Sequence, residues 1–155
     1  MKENQNLFRD LQEDFRKMKK NLLVAQSGGP TAAINATLAG VIKQAIKEEQ
    51  IDQVYGACYG IQGVLEQKFV NLTEKVDTEE KLEKLKRTPA AALGSCRFKL
   101  NDIKEDDSQY QEIVDILHKM NIGYFVYIGG NDSMDTVAKL SAYCKEKGVE
   151  DIKVI

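Results

Sequence analysis

The sequence predicts an α/β protein built on a doubly wound parallel sheet. Two apolar runs, at residues 22–25 and 124–128, are short, which is typical of buried strands. A Gly-Gly turn follows the first run after Gln26 and Ser27 and the second run directly, and each turn is followed by apolar residues at helical spacing. Strand, tight turn and helix in repeated order indicate parallel strands that are covered by helices.

Composition excludes several classes of protein. The 155 residues are enough for one domain with a sizeable core, and the net charge of −2 gives no electrostatic reason to expect nucleic acid or an acidic membrane as a partner. No apolar run has the length of a membrane span, and no signal-peptide pattern is present. The cysteines Cys58, Cys96 and Cys144 are far apart, which favours reduced thiols over a disulfide framework or a zinc site. We therefore expect a cytoplasmic protein.

Residues 1–20 are predicted to form an amphipathic helix ahead of the domain at 21–155. Their apolar side chains recur at helical spacing, at Leu7, Phe8, Leu11, Phe15 and Met18. We expect this helix to pack on the domain or on a neighbouring subunit. A membrane-surface helix is the alternative, but interspersed acidic residues offset the basic ones.

The first strand ends in a loop that suits an anion. Gly28 and Gly29 have no Cβ, so a ligand can approach the backbone closely, and the helix that follows would present free N–H groups and a positive dipole end. The predicted helix has apolar residues near one face, namely Ile34, Leu38, Val41, Ile42, Ala45 and Ile46. The loop is neither a Walker loop nor a dinucleotide fingerprint, because both spacings are absent.

The middle of the chain predicts further strands and helices. A strand at 53–58 leads into 59–63, where two glycines suggest unusual backbone angles near a ligand. A short strand at 69–72 precedes a capping box at 77–80 and a surface helix that ends near Arg87. A second capping box is predicted at 108–111, followed by a helix whose apolar residues are Tyr110, Ile113, Val114, Leu117 and Met120.

Residues 88–100 contain a small-residue turn and one arginine. Gly94 and Ser95 permit close backbone approach, and Arg97 would offer a planar fork that matches phosphate oxygens. Taken alone, Arg97 is better explained as a surface arginine after a loop. Cys96 is expected to be a small packed residue, since no Cys–His arrangement is evident.

The turn at 129–133 places an amide, a carboxylate and a hydroxyl beside a helix start. Asn131, Asp132 and Ser133 offer N-cap chemistry, and a carboxylate near bound phosphate is best explained by a divalent cation between them. A polar turn without a ligand remains an open alternative. The helix is expected from Met134, with helical spacing at Met134, Val137, Ala138 and Ser141 or Cys144, and with Gly148 as its C-terminal cap. In a parallel sheet this turn and the first loop would share one edge.

Together, these stretches resemble the phosphofructokinase family. Ser27-Gly28-Gly29 with Asn35, then the stretch at 94–98, then the stretch at 129–133 occur in the family's order, and the match is nearest to its pyrophosphate-dependent branch. The resemblance implies a glycolytic transferase that phosphorylates the 1-hydroxyl of fructose 6-phosphate, with Mg²⁺ and either pyrophosphate or ATP. It also implies a homo-oligomer and a second, similar domain.

The resemblance also implies residue roles. Gly28 and Gly29 would contact the donor phosphates, and Arg97 would stabilise the transferring phosphoryl group. Donor and metal would be held by the four residues of the second turn, Gly130, Asn131, Asp132 and Ser133, with Asn131 and Asp132 as metal ligands. Because Asn131 replaces the family's usual aspartate, we expect it to bind metal weakly and Asp132 to take a larger share.

Donor choice is expected to depend on Asp132. By the resemblance, ATP-dependent members have glycine at this position. A carboxylate there would fill the space of a nucleotide's α-phosphate and repel that phosphate. We therefore predict that pyrophosphate is the preferred phosphoryl donor. The family's general base and most of its sugar-phosphate contacts come later than residue 155, so this segment is expected to be the donor-binding half and inactive alone. The alternatives are an ATP-dependent sugar-phosphate kinase, an NAD-kinase-like enzyme, or a non-catalytic phosphate-binding module.

Overall fold

The computed structural model describes residues 6–7, 9–11, 14, 18–29 and 31–155. Within them, five strands form one sheet in the order β3-β2-β1-β4-β5. The strands are β1 (Lys20–Gln26), β2 (Ile51–Ala57), β3 (Phe69–Asn71), β4 (Ile122–Ile128) and β5 (Lys153–Val154). All neighbouring pairs are parallel except β2 and β3. The strand β3 runs antiparallel because its connection from β2 contains one six-residue helix, which is too short for a parallel crossover.

Helices cover both faces of the sheet. They are α1 (Ala32–Ala45), α2 (Gly60–Leu65), α3 (Leu72–Lys75), α4 (Glu79–Arg87), α5 (Ser108–Lys119) and α6 (Asn131–Glu146). In β1, Leu22 and Val24 pack in a core with residues of α1 and α4, whereas Leu23 and Ala25 pack in a second core with residues of α5 and α6. This alternation confirms the predicted doubly wound α/β fold.

Helix α1 has the buried face that its sequence predicts. Ile34, Leu38, Ile42 and Ala45 are all buried against the sheet. Ile46 is 51% exposed, so its placement near that face was wrong. Ile46 is the C-cap residue, so it lies just past the last helical residue, Ala45, and its side chain does not pack in the core.

The predicted apolar face of α6 is confirmed at Val137 and Cys144, which pack in the core, and was wrong at its exposed positions, Met134, Ala138 and Ser141. The helix begins at Asn131, and its buried residues are Ser133, Thr136, Leu140, Tyr143 and Cys144. Met134 is 46% exposed. Small polar residues occupy the buried positions of the first turns, so the hydrophobic pattern alone misplaced the face there. The predicted cap at Gly148 is confirmed, because its φ is +69° and the N–H of Val149 donates to the carbonyl of Cys144 at 2.8 Å.

Neither predicted capping box is present in the described part of the chain, although the helix predicted after 77–80 does begin there with a single N-cap. The hydroxyl of Thr78 accepts from the N–H of Lys81 at 3.3 Å and begins α4. The box at 108–111 was wrong, since Ser108 is already helical and the N-cap is Asp107. The carboxylate of Asp106 accepts from the N–H of Ser108 at 3.0 Å and so takes over the predicted role of the serine.

Residues 59–63 only partly match their predicted loop. Tyr59 and Gly60 have positive φ values of 65° and 61°, which confirms unusual backbone angles there. Gly63 lies inside α2, and a Cβ on it would be 1.5 Å from the carbonyl oxygen of Cys58. Glycine at position 63 is therefore explained by the close approach of the Cys58 backbone.

The predicted N-terminal helix is described only in part. Residues 6–7, 9–11 and 14 are helical, whereas Phe8 and Phe15 of the predicted apolar face lie outside the described residues. The predicted end at residue 20 was wrong, because Met18 and Lys19 are not helical and Lys20 begins β1. Leu7, Leu11 and Met18 are exposed. Packing of this segment on a domain or a subunit therefore stays a prediction. Among the helices of the described residues, none is long and apolar enough to cross a membrane.

Candidate functional site

The sheet reverses its winding between β1 and β4. From β1 the chain crosses by α1 to β2 on one side, and from β4 it crosses by α6 to β5 on the other side, with α1 and α6 on opposite faces. Ligands of open α/β sheets bind at such a switch point, beyond the carboxyl ends of the strands. The loop after β1 and the turn after β4 both leave from that position.

These two loops contact each other through their backbones. The N–H of Ser27 donates to the carbonyl of Ile128 at 2.8 Å. A Cβ on Gly28, whose φ is +87°, would lie 3.4 Å from the nitrogen of Gly130. A Cβ on Gly129 would lie 2.9 Å from the carbonyl oxygen of Ser27, so this approach requires glycine.

The segment at 94–97 joins the same site. The hydroxyl of Ser95 donates to the carbonyl of Gly28 at 2.8 Å, and the hydroxyl of Ser27 donates to the carbonyl of Cys96 at 3.3 Å. Arg97 follows directly, is exposed, and forms no ion pair with any residue that the structure describes. All three stretches that the sequence singled out therefore meet at one edge of the sheet.

Two buried amides hold the chain that leads into this segment. The side-chain oxygen of Gln26 accepts from the N–H of Leu93, and that of Asn35 accepts from the N–H of Ala92, both at 2.9 Å. The amide of Gln26 donates to Asn35 at 3.1 Å, and that of Asn35 donates to the carbonyl of Thr88 at 2.8 Å and to that of Ala90. Both side chains are fully buried. Sequence reasoning missed Gln26, although a polar amide at the end of an apolar strand was the available signal.

The start of α6 leaves backbone donors for an anion. Its N-cap is Gly130, whose carbonyl accepts from the N–H groups of Ser133 and Met134 at 3.1 Å each. Within the described chain no side chain caps this helix, so the predicted capping by Asn131, Asp132 and Ser133 was wrong. The first N–H groups of a helix have no intrahelical partner, and the dipole there favours negative charge.

Ser133 is buried beneath the turn. Its side chain is 2% exposed, and its hydroxyl has no hydrogen-bond partner among the described residues. A Cβ on Gly129 would lie 2.1 Å from this hydroxyl, which places the serine directly under the glycine pair. A buried hydroxyl without a partner costs about 1–3 kcal/mol, and a bound ligand or water would remove that cost.

Asn131 and Asp132 stand exposed at the mouth of the site. The carboxylate of Asp132 is 3.6 Å from the ammonium group of Lys99. Across the described residues there is no cluster of three acidic, histidine or cysteine side chains that would form a metal cage. Mg²⁺ is commonly held by one or two carboxylates, phosphate oxygens and water, and one carboxylate with one amide fits that mode.

Tyr127 forms part of the floor behind the loops. Its hydroxyl accepts from the N–H of Ile61 at 3.2 Å, and burial raises its pKa above the usual value, so the phenol is neutral. A Cβ on Gly60 would lie 2.8 Å from both this hydroxyl and the sulfur of Cys96. Cys96 is thus a packed residue of the floor, as its sequence context predicts.

Comparisons with known proteins give a consistent result. The model of the phosphofructokinase family matches residues 21–155. The chain is 44% identical over 123 residues to a pyrophosphate–fructose 6-phosphate 1-phosphotransferase of Rhodospirillum rubrum. The aligned stretch covers 79% of this chain and 29% of the relative. An enzyme of the same name from Halomonas elongata is 40% identical over 129 residues, with coverages of 83% and 30%. The chain thus spans about three tenths of the length of these curated relatives.

Solved structures share the fold. A pyrophosphate-dependent phosphofructokinase from Nitrosospira multiformis superposes with a TM-score of 0.77 at 37% identity, over 87% of this chain and 32% of that one. The corresponding protein from Marinobacter aquaeolei has a TM-score of 0.72 at 38% identity, over 83% and 31%. The sequence match, the superposition and the three converging loops agree, and the chain belongs to the phosphofructokinase family.

Proposed function

We propose that this chain supplies the donor-phosphate site of an enzyme that transfers a phosphoryl group from pyrophosphate to the 1-hydroxyl of fructose 6-phosphate. The observation that carries the proposal is the convergence of the two glycine loops and the 94–97 segment at the switch point, with Asp132 at the second residue of α6. The names of the Rhodospirillum and Halomonas relatives support the same reaction.

The glycine pairs are proposed to bind the donor through their backbones. A Cβ on Gly29 or Gly130 would meet no described atom within 4 Å, so both positions border open space at the site. Gly28 keeps the first loop against the second through its positive φ. The start of α6 adds N–H groups and a positive dipole end for a phosphate oxygen.

Arg97 is proposed to contact the transferring phosphoryl group. Its guanidinium is exposed and has no ionic partner in the described part of the chain, so it can turn to a phosphate without breaking an existing pair. A planar fork binds two phosphate oxygens at once and stabilises the charge of the transition state. Phosphoryl transfer depends mainly on such positioning and electrostatic stabilisation.

Asp132 and Asn131 are the residues that would hold Mg²⁺ together with donor oxygens. Bound there, the ion would neutralise part of the charge on the phosphates. The buried hydroxyl of Ser133 has no hydrogen-bond partner in the part of the chain that the structure describes, and it lies under the same turn, which supports a ligand at this position. We also propose that the intact protein acts as a homo-oligomer in the cytoplasm, with residues 21–155 as the donor-binding part.

Asp132 is proposed to select pyrophosphate. Its carboxylate is 80% exposed at the start of α6, where it would meet the α-phosphate of a nucleotide and repel it. Pyrophosphate ends before that position. An ATP-dependent relative from Bacteroides thetaiotaomicron is 32% identical over 122 residues, so the alternative donor needs a direct test.

The test compares the two donors in the intact gene product. We expect fructose 6-phosphate to be phosphorylated with pyrophosphate, and Asp132→Gly to raise kcat/KM with ATP by about tenfold or more. Asp135→Gly is the control, because this exposed residue lies one turn further along α6 and pairs with Lys139. Phosphorylation with ATP but not with pyrophosphate would refute the proposed donor. An absence of transfer from either donor would refute the proposed enzyme.

A further inference from the structure

An ammonium group stands beside the carboxylate that is proposed to select the donor. The Nζ atom of Lys99 lies 3.6 Å from the Oδ1 atom of Asp132. Lys99 is two residues beyond Arg97, and Asp132 is the second residue of α6. The ion pair therefore links the segment that carries Arg97 to the turn after β4, at the mouth of the site.

This ion pair is poorly suited to a structural role. The two side chains are 75% and 80% exposed, and an exposed pair is screened by water and salt and adds little to stability. Other contacts already hold the segment in place. The hydroxyl of Ser95 fixes it to Gly28, and the buried amides hold the residues just before it.

The position of Asp132 creates an electrostatic problem for a pyrophosphate site. A carboxylate at the start of α6 offsets the positive dipole end that would attract an anion. Pyrophosphate carries several negative charges, so it would meet repulsion from the residue that excludes a nucleotide. The ammonium group of Lys99 is the positive charge that the structure places within ion-pair distance of that carboxylate.

We propose that Lys99 is a donor-binding residue that offsets the charge of Asp132. Without a donor, the two side chains pair with each other. When pyrophosphate binds, the ammonium group turns to a phosphate oxygen and the carboxylate stays available to a metal. This inference rests on the proposed function. It assigns donor selection to Asp132 and Lys99 together: Asp132 excludes the nucleotide, and Lys99 binds pyrophosphate.

The test measures binding and turnover in Lys99→Met, Lys99→Arg and, as the control, Lys104→Met. Lys104 is an exposed lysine of the same irregular segment and forms no ion pair within the described residues. Equilibrium dialysis with pyrophosphate alone gives affinity without metal, and steady-state kinetics of the intact gene product give KM and kcat. We expect Lys99→Met to weaken pyrophosphate binding and raise its KM by about tenfold, with kcat changed by less than about threefold. Lys99→Arg should restore most of the affinity, and Lys104→Met should match the unmodified protein.

A double-mutant cycle with Asp132→Asn tests the pairing itself. Once the carboxylate is gone, the ammonium group no longer has to leave an ion pair to reach a phosphate oxygen, so Lys99→Met should cost about threefold more affinity than it does in the presence of Asp132. An equal loss in both backgrounds would show that the two residues act independently and would overturn the proposed compensation.

The outcomes separate this inference from the proposed function. If the unmodified protein neither binds nor uses pyrophosphate, both are refuted. If it binds pyrophosphate and Lys99→Met binds it equally tightly, only the role of Lys99 is refuted. Thermal unfolding of each variant checks folding, and we expect no change because the side chain is 75% exposed.

Discussion

Asn35 provides the sharpest test of how the site is assembled. Its fully buried side chain accepts from Ala92 and from Gln26, and donates to the carbonyls of Thr88 and Ala90. Asn35→Ala would leave all four groups without this partner. The two carbonyls and the N–H of Ala92 belong to residues that reach solvent and can bind water. The amide nitrogen of Gln26 is fully buried and would keep, of its bonds within the described chain, only that to the carbonyl of Ile34, at 3.2 Å. With about 1–3 kcal/mol for each buried group left unsatisfied, and a small gain in helix propensity, we expect a loss of about 3 kcal/mol in unfolding free energy.

Urea denaturation measures this loss, and limited proteolysis at 88–97 reports whether the segment is released. Thr37→Ala is the control, because this residue is exposed on the same helix and its hydroxyl contacts only its own turn, at the carbonyl of Ala33. We expect the control to change stability by less than about 0.5 kcal/mol. If Asn35→Ala had the effect of the control, with unchanged proteolysis, the amide network could not be what positions the segment.

Three further predictions concern the turn, the arginine and pH. Gly129→Ala should lower the free energy of unfolding by about 1–3 kcal/mol, because its Cβ would lie 2.9 Å from a backbone oxygen. The Cβ of Gly130→Ala would meet no described atom within 4 Å, so this variant should lose less than about 0.5 kcal/mol. Equal midpoints of the two variants in urea would contradict this difference. Arg97→Ala should lower kcat by about 10³, because the charge on the transferring phosphoryl group would lose its guanidinium partner. Thermal unfolding should not change, because the side chain is exposed. An unaltered kcat would show that Arg97 does not take part in the reaction. The hydrogen bond from His118 lowers the pKa of Asp151 in the folded protein below its ordinary value of 3.8. The ionised Asp151 therefore stabilises the fold above pH 3.8, and this stabilisation is lost as the pH falls through the lower pKa of the folded state. Asp151→Asn should therefore flatten this acid dependence by less than about 1 kcal/mol, and an unchanged acid unfolding curve would contradict the assignment.

Strands and glycine turns could be predicted because each depends on local chemistry. The run at 124–128 is apolar on both faces of a central strand, and Gly28 and Gly129 lie where a close backbone approach allows no side chain. These local signals placed the two loops correctly. The parallel sheet then brought them to one edge, as the topology requires.

Other features depended on contacts between distant residues. The first turns of the α6 face were misplaced because Ser133 and Thr136 are buried there although they are polar, whereas Cys144 was placed correctly. The cap of α5 was misplaced by one residue because Asp106 competes for the N–H of Ser108. Gln26 was missed because its partners are 67 residues away in sequence, at Leu93, and nine residues away at Asn35.

The central claim is that three loops form one pyrophosphate site, and hydrogen exchange tests it most directly. The intact gene product would be exchanged with and without pyrophosphate and Mg²⁺, and followed by mass spectrometry at peptide resolution. If the three loops share one site, exchange slows together in peptides that cover 27–29, 94–99 and 130–133, and a peptide covering α5 does not change. Slowed exchange in only one of the three stretches, or protection centred on α5, would contradict a shared site.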